Sequence, residues 1–179
     1  MQNKKIVITG GPGTGKSSII RNLEAQGHFC LHEISRQITL EAQKQGVEQL
    51  FLEKPLLFSE KLLEARIAQH EQAVKFSKEL IFLDRGIPDV VAYMDYFGTS
   101  YSKMFSIACE AHEYDHVFLL PPWKEIYISD NERYESFEQA EEIHEYLKKA
   151  YITYGYNPIE VPTGTIDDRS RFIINTLYL

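Results

Sequence analysis

Cysteine is scarce in this 179-residue chain, which contains two in all. Cys30 and Cys109 do not form a CxxC pair, and no group of histidines accompanies either of them. Zinc sites and redox pairs require cysteines and histidines at short, defined spacings. We therefore expect both cysteines to be small core residues rather than a disulfide or a metal site.

Long apolar runs are also missing. No segment approaches the roughly 20 consecutive apolar residues that a membrane-spanning helix needs. The amino terminus passes through Lys4 and Lys5 directly into a short apolar run, without the apolar segment and cleavage site of a secretory signal. The sequence predicts a cytoplasmic protein that has no membrane partner.

Positively charged residues are fewer than acidic ones. The chain has 19 lysines and arginines and 26 acidic residues, so its net charge is -7. A surface that binds nucleic acid non-specifically is basic, so we expect no nucleic acid partner and a local site for any anion. The length and the 44% hydrophobic content suit one sizeable core. We expect a single domain over residues 1–179, while no pattern specifies an oligomeric state.

Short apolar runs alternate with longer helical patterns along the chain. The runs typical of strands lie at 6–8, 28–31, 80–83, 117–120 and 158–161. Helical patterns lie between them at 16–26, 34–44, 90–97 and 102–112, and Thr165 followed by Asp168 predicts the start of a terminal helix that reaches Leu177. This alternation predicts an α/β fold with helices packed on a parallel sheet.

The longest helical pattern follows Pro55. Leu63, Ile67 and Val74 recur there at helical spacing, so we expect this stripe to face the core and Arg66 to flank it. Another helix is predicted further along the chain from the apolar stripe Ile143, Leu147, Ala150 and Tyr151.

Residues 10–17 have the sequence GGPGTGKS, the full G-x-x-x-x-G-K-[ST] pattern, between an apolar run and a helical pattern. Glycines let several backbone N–H groups point at phosphate oxygens, and the helix start adds its positive dipole end. The lysine then reaches the β and γ oxygens of a triphosphate, and the serine hydroxyl suits Mg²⁺. The alternative is a glycine-rich turn with an incidental lysine. We predict ATP and Mg²⁺ as cofactors, with the nucleotide bound by Gly11, Pro12, Gly13, Thr14, Gly15, Lys16, Ser17 and Ser18.

A second motif joins the apolar run 80–83 to Asp84-Arg85-Gly86. A buried strand in this position delivers a carboxylate to the phosphate site, so Asp84 is predicted to bind Mg²⁺ together with Ser17. Many NTP-driven machines place a water-activating glutamate directly after this acid, whereas this chain has Arg85. An arginine there can hold an anionic acceptor or the moving phosphoryl group, which favours transfer over hydrolysis. The alternative is a turn that merely ends the strand.

Two charged residues, Glu33 and Arg36, follow the second predicted strand. The crevice of an open parallel sheet lies beyond the carboxyl ends of its strands, so Glu33 and Arg36 are predicted to line the cleft, with Arg66 as a further substrate-binding candidate. Glu33 could accept the proton of a substrate hydroxyl. The alternative is that Glu33 caps the second helix and that Arg36 is a solvated surface residue.

A polar segment at 130–135 follows the fourth predicted strand. It suits a lid over residues 122–137 in which Arg133 closes on the phosphates, or it is an ordinary charge cluster beside a helix.

These motifs together resemble a known family. The phosphate loop, Glu-Ile-Ser-Arg at 33–36, Asp-Arg-Gly-Ile-Pro-Asp at 84–89 and Tyr-Gly-Tyr-Asn-Pro-Ile-Glu-Val-Pro at 154–162 resemble the AAA-type P-loop family that includes the ribosylnicotinamide kinase domain. They are similar, more distantly, to deoxynucleoside and thymidylate kinases. The resemblance implies a three-layer P-loop NTPase fold with the strand order 2-3-1-4-5. It also implies Glu33 as a base, Arg85 as an acceptor or phosphate ligand and Arg133 as a lid arginine.

The favoured hypothesis is a small-molecule kinase that transfers the γ-phosphoryl group of ATP to a nucleoside-like or other small hydroxyl acceptor. Its predicted catalytic residues are Lys16, Glu33, Asp84, Arg85 and Arg133. An alternative is a nucleotide-dependent switch or binding module linked to GTP or phosphoinositides, although the chain has no Asn-Lys-x-Asp segment to recognise guanine. A third hypothesis, a remodelling ATPase, is disfavoured because no glutamate follows Asp84.

Overall fold

A computed structural model of the chain describes residues 3–127 and 135–178. Its centre is a parallel sheet of five strands in the order β2-β3-β1-β4-β5, as the resemblance predicts. The strands are β1 (Lys4–Gly10), β2 (Phe29–Leu31), β3 (Leu80–Asp84), β4 (His116–Leu120) and β5 (Ile159–Glu160). The first and third strands are therefore neighbours, which brings the carboxyl ends of β1 and β3 to the same point.

Helices connect the strands, as the alternation in the sequence predicts. They are α1 (Lys16–Ala25), α2 (Ser35–Lys44), α3 (Leu50–Glu53), α4 (Pro55–Lys75), α5 (Ile87–Tyr96), α6 (Lys103–Ala111), α7 (Phe137–Thr153) and α8 (Ile166–Leu177). The sequence did not predict α3, because a helix of one turn is too short to show a periodic pattern.

The central strand β1 is apolar on both faces and has a helical layer on each side. Ile6 and Ile8 pack with residues of α1 and α8, whereas Val7 points to the other face and packs with residues of α4 and α7. The sequence of a strand that is buried on both faces is a continuous apolar run, as it is at residues 6–8. The architecture is the predicted three-layer P-loop NTPase fold.

The buried stripe of α4 differs from the prediction. Val74 is 58% exposed, whereas Arg66 is 2% exposed and His70 is also buried. The buried stripe consists instead of Leu63, Arg66, His70 and Ala73. Its two polar side chains can be buried because each has a polar partner in the interior. Arg66 binds Glu33, and His70 Nε2 lies 2.8 Å from the carbonyl oxygen of Glu113. The prediction for Val74 was wrong because it assumed that polar residues stay outside.

Two predictions about buried residues are confirmed, one for the cysteines and one for α7. Cys30 and Cys109 are both buried and free. Ile143, Leu147, Ala150 and Tyr151 form the buried face of α7. Among residues 3–127 and 135–178, no helix combines the length and the apolar character that crossing a membrane requires.

The amino end of α8 is capped as predicted, since the Thr165 hydroxyl accepts a hydrogen bond from the Asp168 N–H at 3.1 Å. We expect Thr165→Ala to lower the free energy of unfolding by about 1 kcal/mol, the usual cost of losing such a cap. Chemical denaturation measures the change. Thr153→Ala is the control, because that exposed hydroxyl only bonds back to the carbonyl of Lys149 within α7. Equal stability of the two variants would contradict the capping role.

Candidate active site

The phosphate loop connects β1 to α1. Gly13 and Gly15 adopt φ angles of 72° and 82°, a left-handed conformation that favours glycine. The Thr14 hydroxyl closes the loop by donating to the Gly11 carbonyl at 3.0 Å. An open cleft of about 620 Å³ lies over residues 11–18 of the loop. The chain thus has the curled backbone and the helix start that a phosphate site requires.

Lys16 and Asp84 meet at the end of this loop. Asp84 ends β3 opposite Ile8 of β1, and the Lys16 ammonium donates a hydrogen bond to its carboxylate. Burial lowers the pKa of Lys16 below its ordinary value, and the charge of Arg85 lowers it further, whereas Asp84 and Glu33 oppose the shift. In this state Asp84 balances the charge that Lys16 would present to a phosphate.

Glu33 lies where β2 leads into α2 and accepts hydrogen bonds from two directions. Its Oε1 accepts from the N–H groups of Ile34 and Ser35, at 3.0 and 3.2 Å, and from Arg66 Nη2 at 2.8 Å. Its Oε2 pairs with Arg85 Nε at 2.7 Å. Glu33 therefore accepts hydrogen bonds from the backbone at the start of α2 and also lines the cleft, whereas its role toward a substrate hydroxyl stays a prediction.

These contacts set the charge state of Glu33. Burial raises the pKa of its carboxyl group, but Arg66 and Arg85 outweigh this effect and hold the pKa at about 2. A general base works best when its pKa lies near the working pH. In this arrangement Glu33 is better suited to accept a hydrogen bond and to hold its arginines than to remove a proton.

Arg85 has an uncommon backbone for a residue with a side chain, with φ at 75°. This conformation costs on the order of 1 kcal/mol, and such strain tends to be retained at functional sites. The turn lets the Arg85 N–H bond to the Ile8 carbonyl at 3.0 Å while the guanidinium points back between Glu33 and Asp89, where Nη1 lies 3.0 Å from Asp89 Oδ1. The guanidinium also lies over the ring of Tyr93, 5.4 Å from its centroid.

Asp89 is a residue of this site that the sequence analysis missed. It is buried on the first turn of α5, where one carboxylate oxygen accepts from Arg85 and the Thr9 hydroxyl, and the other accepts from the Gly86 N–H and the Tyr151 hydroxyl. The available signal was an acid in the first turn of a helix that begins with Ile-Pro, three residues after Gly86. Asp89 thereby connects β1, the turn after β3, and α7.

The remaining predicted residues fall at different distances from this centre. Arg66 is buried and donates from Nη1 to the Asp84 carbonyl at 3.2 Å, so it belongs to the same cluster. Arg36 is exposed and lines the cleft over the phosphate loop. Arg133, and with it most of the predicted lid segment 130–135, lies outside the described residues.

A second cavity, of about 280 Å³, opens beside the cleft. Its walls come from α3, α4 and α5 and are mainly apolar, and one end is charged. The walls include the aromatic residues Phe51, Phe58, Tyr93 and Phe97, and the charged end includes Glu33, Arg66, Arg85 and Asp89. Glu33 and Arg85 line both this cavity and the phosphate-loop cleft.

The sequence profile of a family described as an AAA domain matches residues 5–169, which include the phosphate loop, Glu33, Asp84 and Arg85. The chain belongs to this AAA domain family. None of the curated protein sequences gives a significant match to this AAA domain.

Solved structures share the fold of this AAA domain. A deoxyadenosine kinase from M. mycoides, with dCMP and dCDP bound, is 19% identical with a TM-score of 0.72, and the alignment covers 97% of this chain and 98% of that one. The same enzyme with bound dATP is 22% identical with a TM-score of 0.63, over 98% of this chain and 100% of that one. A NadR protein in complex with NR is 17% identical with a TM-score of 0.76 over 98% of this chain, which spans 51% of that protein.

The charge state of Glu33 predicts a pH dependence. Because its pKa in the folded state, about 2, lies below the ordinary value of 4.5, ionised Glu33 stabilises the fold above about pH 5, and this contribution is lost as the pH falls toward 2. Glu33→Gln leaves buried arginines without their anion, so we expect it to lower the free energy of unfolding by about 3 kcal/mol at pH 7.

The measurement is chemical denaturation of the wild type and of Glu33→Gln between pH 7 and pH 2. The difference between the two proteins should shrink as the pH falls through this range. Glu24→Gln is the control, since Glu24 pairs with the exposed His32 rather than with a buried arginine. A difference that does not vary with pH would show that Glu33 is not held ionised by its arginines.

Proposed function

We propose that this protein is a kinase that transfers the γ-phosphoryl group of ATP to a hydroxyl group of a small, nucleoside-like acceptor. The observation that carries the proposal is that the phosphate-loop cleft and the second cavity meet at Glu33 and Arg85. An acceptor in the cavity would therefore present its hydroxyl group to the end of the triphosphate. Holding the two reactants in this way is the main task of a phosphoryl-transfer enzyme.

The character of the second cavity supports a nucleoside-like acceptor. Phe51, Phe58 and Phe97 offer apolar ring surfaces to a flat base, and the charged end suits the hydroxyl groups of a sugar. The names of the structural neighbours point the same way, since one is a deoxyadenosine kinase with bound dCMP and dCDP. Another is a NadR protein, solved with NR and, separately, with NAD and AMP-PNP.

The phosphate loop and its neighbours fit MgATP. Residues 11–18 would hold the phosphates, and Lys16 would leave Asp84 for their oxygens. The exposed Ser17 hydroxyl and the Asp84 carboxylate are the hard oxygen donors that Mg²⁺ prefers, in the small number that this ion takes from a protein in kinase sites. When bound, Mg²⁺ neutralises charge on the β and γ oxygens.

Glu33 and Arg85 have complementary roles in this proposal. Glu33 accepts a hydrogen bond from the acceptor hydroxyl and orients its oxygen, while Arg85 neutralises the phosphoryl group as the bond to the ADP oxygen breaks. Phosphoryl transfer has a loose transition state, so orientation of the hydroxyl matters more than early removal of its proton. The proton leaves the acceptor oxygen as the new O–P bond forms and passes to the transferred phosphate and then to water. We also propose that Arg36, which lines the cleft, binds an anionic group there, and that residues 122–137, with Arg133, close over the reacting groups.

Lys16→Ala tests the phosphate loop. The variant loses the cation that balances the β and γ phosphates, and we expect its affinity for MgATP to fall by roughly 10- to 100-fold, as for the loss of a charge-assisted hydrogen bond. Isothermal titration calorimetry measures the affinity. Lys4→Ala, on an exposed position of β1, should leave it unchanged. Unchanged affinity in Lys16→Ala would remove the phosphate-loop assignment itself.

Glu33→Gln tests the catalytic arrangement. Nucleosides and small alcohols are first screened with MgATP through ADP release, and the best acceptor is then used with each variant. Because the variant misplaces both the hydroxyl and Arg85, we expect kcat to fall about 100-fold with little change in the KM for ATP. Glu24→Gln should behave like the wild type. If Glu33 only caps α2, kcat will be nearly intact and stability will fall by about 1 kcal/mol.

A further inference from the structure

Arg169 is a buried arginine that the proposed reaction does not use. It lies on the first turns of α8 and is 2% exposed. Its Nε and Nη2 atoms are buried and have no hydrogen-bond partner within residues 3–127 and 135–178. These two atoms form one edge of the guanidinium, the edge with which arginine binds a pair of oxygens. A buried polar edge without a partner is expensive and calls for an explanation.

The charge of Arg169 also lacks a partner among the residues that the structure describes. The acids beside it on α8 are engaged elsewhere, because Asp167 accepts a hydrogen bond from Asn22 and Asp168 binds Thr165 and Arg171. Burial accordingly lowers the pKa of Arg169, and no charged neighbour opposes the shift. A buried cation that has no anion among the described residues is stabilised when a bound anion lies beside it.

The nearest anion site is the phosphate loop. A methyl group added to Gly15 would lie 2.9 Å from Arg169 Nη1, so the guanidinium rests against the loop backbone. Arg169 follows β5 in the sequence, and Trp123 follows β4. The centroid of the Trp123 ring lies 6.0 Å from Cζ of Arg169. Glu33 and Arg85 follow β2 and β3, on the other side of β1. The acceptor and Arg169 are thus on opposite sides of the loop.

A nucleotide lying across the loop with its γ-phosphate toward Glu33 and Arg85 would have its nucleoside end toward Arg169. We propose that Arg169 binds the donor nucleotide, with its Nε and Nη2 atoms taking two oxygens of the phosphate nearest the nucleoside. The proposal rests on the proposed function only in requiring that the phosphate loop holds a nucleotide. It adds a ligand on α8 that supplies charge at the end opposite to Lys16.

The loop that covers Arg169 must shift to admit a phosphate. Residues 121–127 contain no helix or strand, and they place Ile126 near Gly15 and the ring of Tyr127 against Gly13. Trp123, which stacks on Arg169, is the single tryptophan of the protein. Its fluorescence should therefore change when a nucleotide binds, and it provides a direct readout of this site.

Arg169→Met tests the proposal, because methionine keeps an apolar stem of similar length without charge or donors. We expect the affinity for MgADP to fall roughly 10- to 100-fold, the usual effect of losing a charge-assisted pair of hydrogen bonds. Titrations followed by Trp123 fluorescence and by calorimetry measure it. The Tm of the nucleotide-free variant should be equal to or above that of the wild type, because an unbalanced buried charge is removed. A merely structural arginine predicts the reverse pattern, a lower Tm with unchanged affinity, and that result would overturn the proposal.

Matched controls separate the outcomes. Arg171→Met changes an exposed arginine of the same helix and should leave the affinity unchanged, whereas Arg169→Lys keeps the charge but loses the paired edge and should still bind MgADP more weakly. Inorganic tripolyphosphate should also lose affinity for Arg169→Met; a loss confined to nucleotides would show that Arg169 contacts the base instead and would overturn the phosphate assignment. Failure of the wild type to bind any of these ligands would overturn the phosphate-loop assignment as well.

Discussion

The site depends on a series of linked ion pairs between buried side chains. The series runs through Arg66, Glu33, Arg85 and Asp89. Two guanidinium groups alternate with two carboxylates, so the cluster is neutral although it is largely shielded from water. Each of these charges would cost several kcal/mol if it were buried alone. The members come from α4, the end of β2, the end of β3 and α5, so they can be balanced only when these elements are packed together. Folding and assembly of the site are therefore the same event.

This cluster explains several local features. The left-handed backbone of Arg85 places its guanidinium between two carboxylates, and the ion pairs offset the strain of the turn. Asp89 extends the cluster to Thr9 on β1 and to Tyr151 on α7, which fixes the turn after β3 relative to the strand that carries the phosphate loop. Lys16 and Asp84 form a second neutral pair beside it. Glu33 and Arg85 would thus be in place before a triphosphate binds, which limits reorganisation during transfer, whereas Lys16 would exchange Asp84 for the phosphates.

The sequence predicted the parts of this protein that follow from local patterns. The phosphate loop has a fixed spacing, the strands are short apolar runs, and the strand order came from the resemblance to a known family. The sequence also predicted that Glu33, Asp84 and Arg85 lie close together, because the carboxyl ends of parallel strands lie at one edge of the sheet. The single domain, the lid at 122–137 and the role of Arg133 stay predictions.

What the sequence did not predict are buried polar residues, because their burial depends on partners that are distant along the chain. The pattern of α4 predicts Arg66 as a flanking residue, although Arg66 shares a helical face with Leu63 and His70. Arg169 likewise lies four and eight residues before the buried Ile173 and Leu177, so its spacing placed it on the core face of α8. A rule that reads arginine as exposed misses both. Their spacing on an otherwise apolar stripe was the usable signal.

The proposed kinase activity is tested most directly by following the γ-phosphoryl group itself. The protein is incubated with MgATP carrying a label in the γ position and with the acceptor that gives the fastest ADP release, and the label is then divided between phosphorylated acceptor and inorganic phosphate. Kinase activity predicts one phosphorylated acceptor for each ADP formed, with inorganic phosphate as a minor product. Label that appears only as inorganic phosphate, at a rate the acceptor does not change, would contradict it and would leave a nucleotide-dependent switch as the better hypothesis.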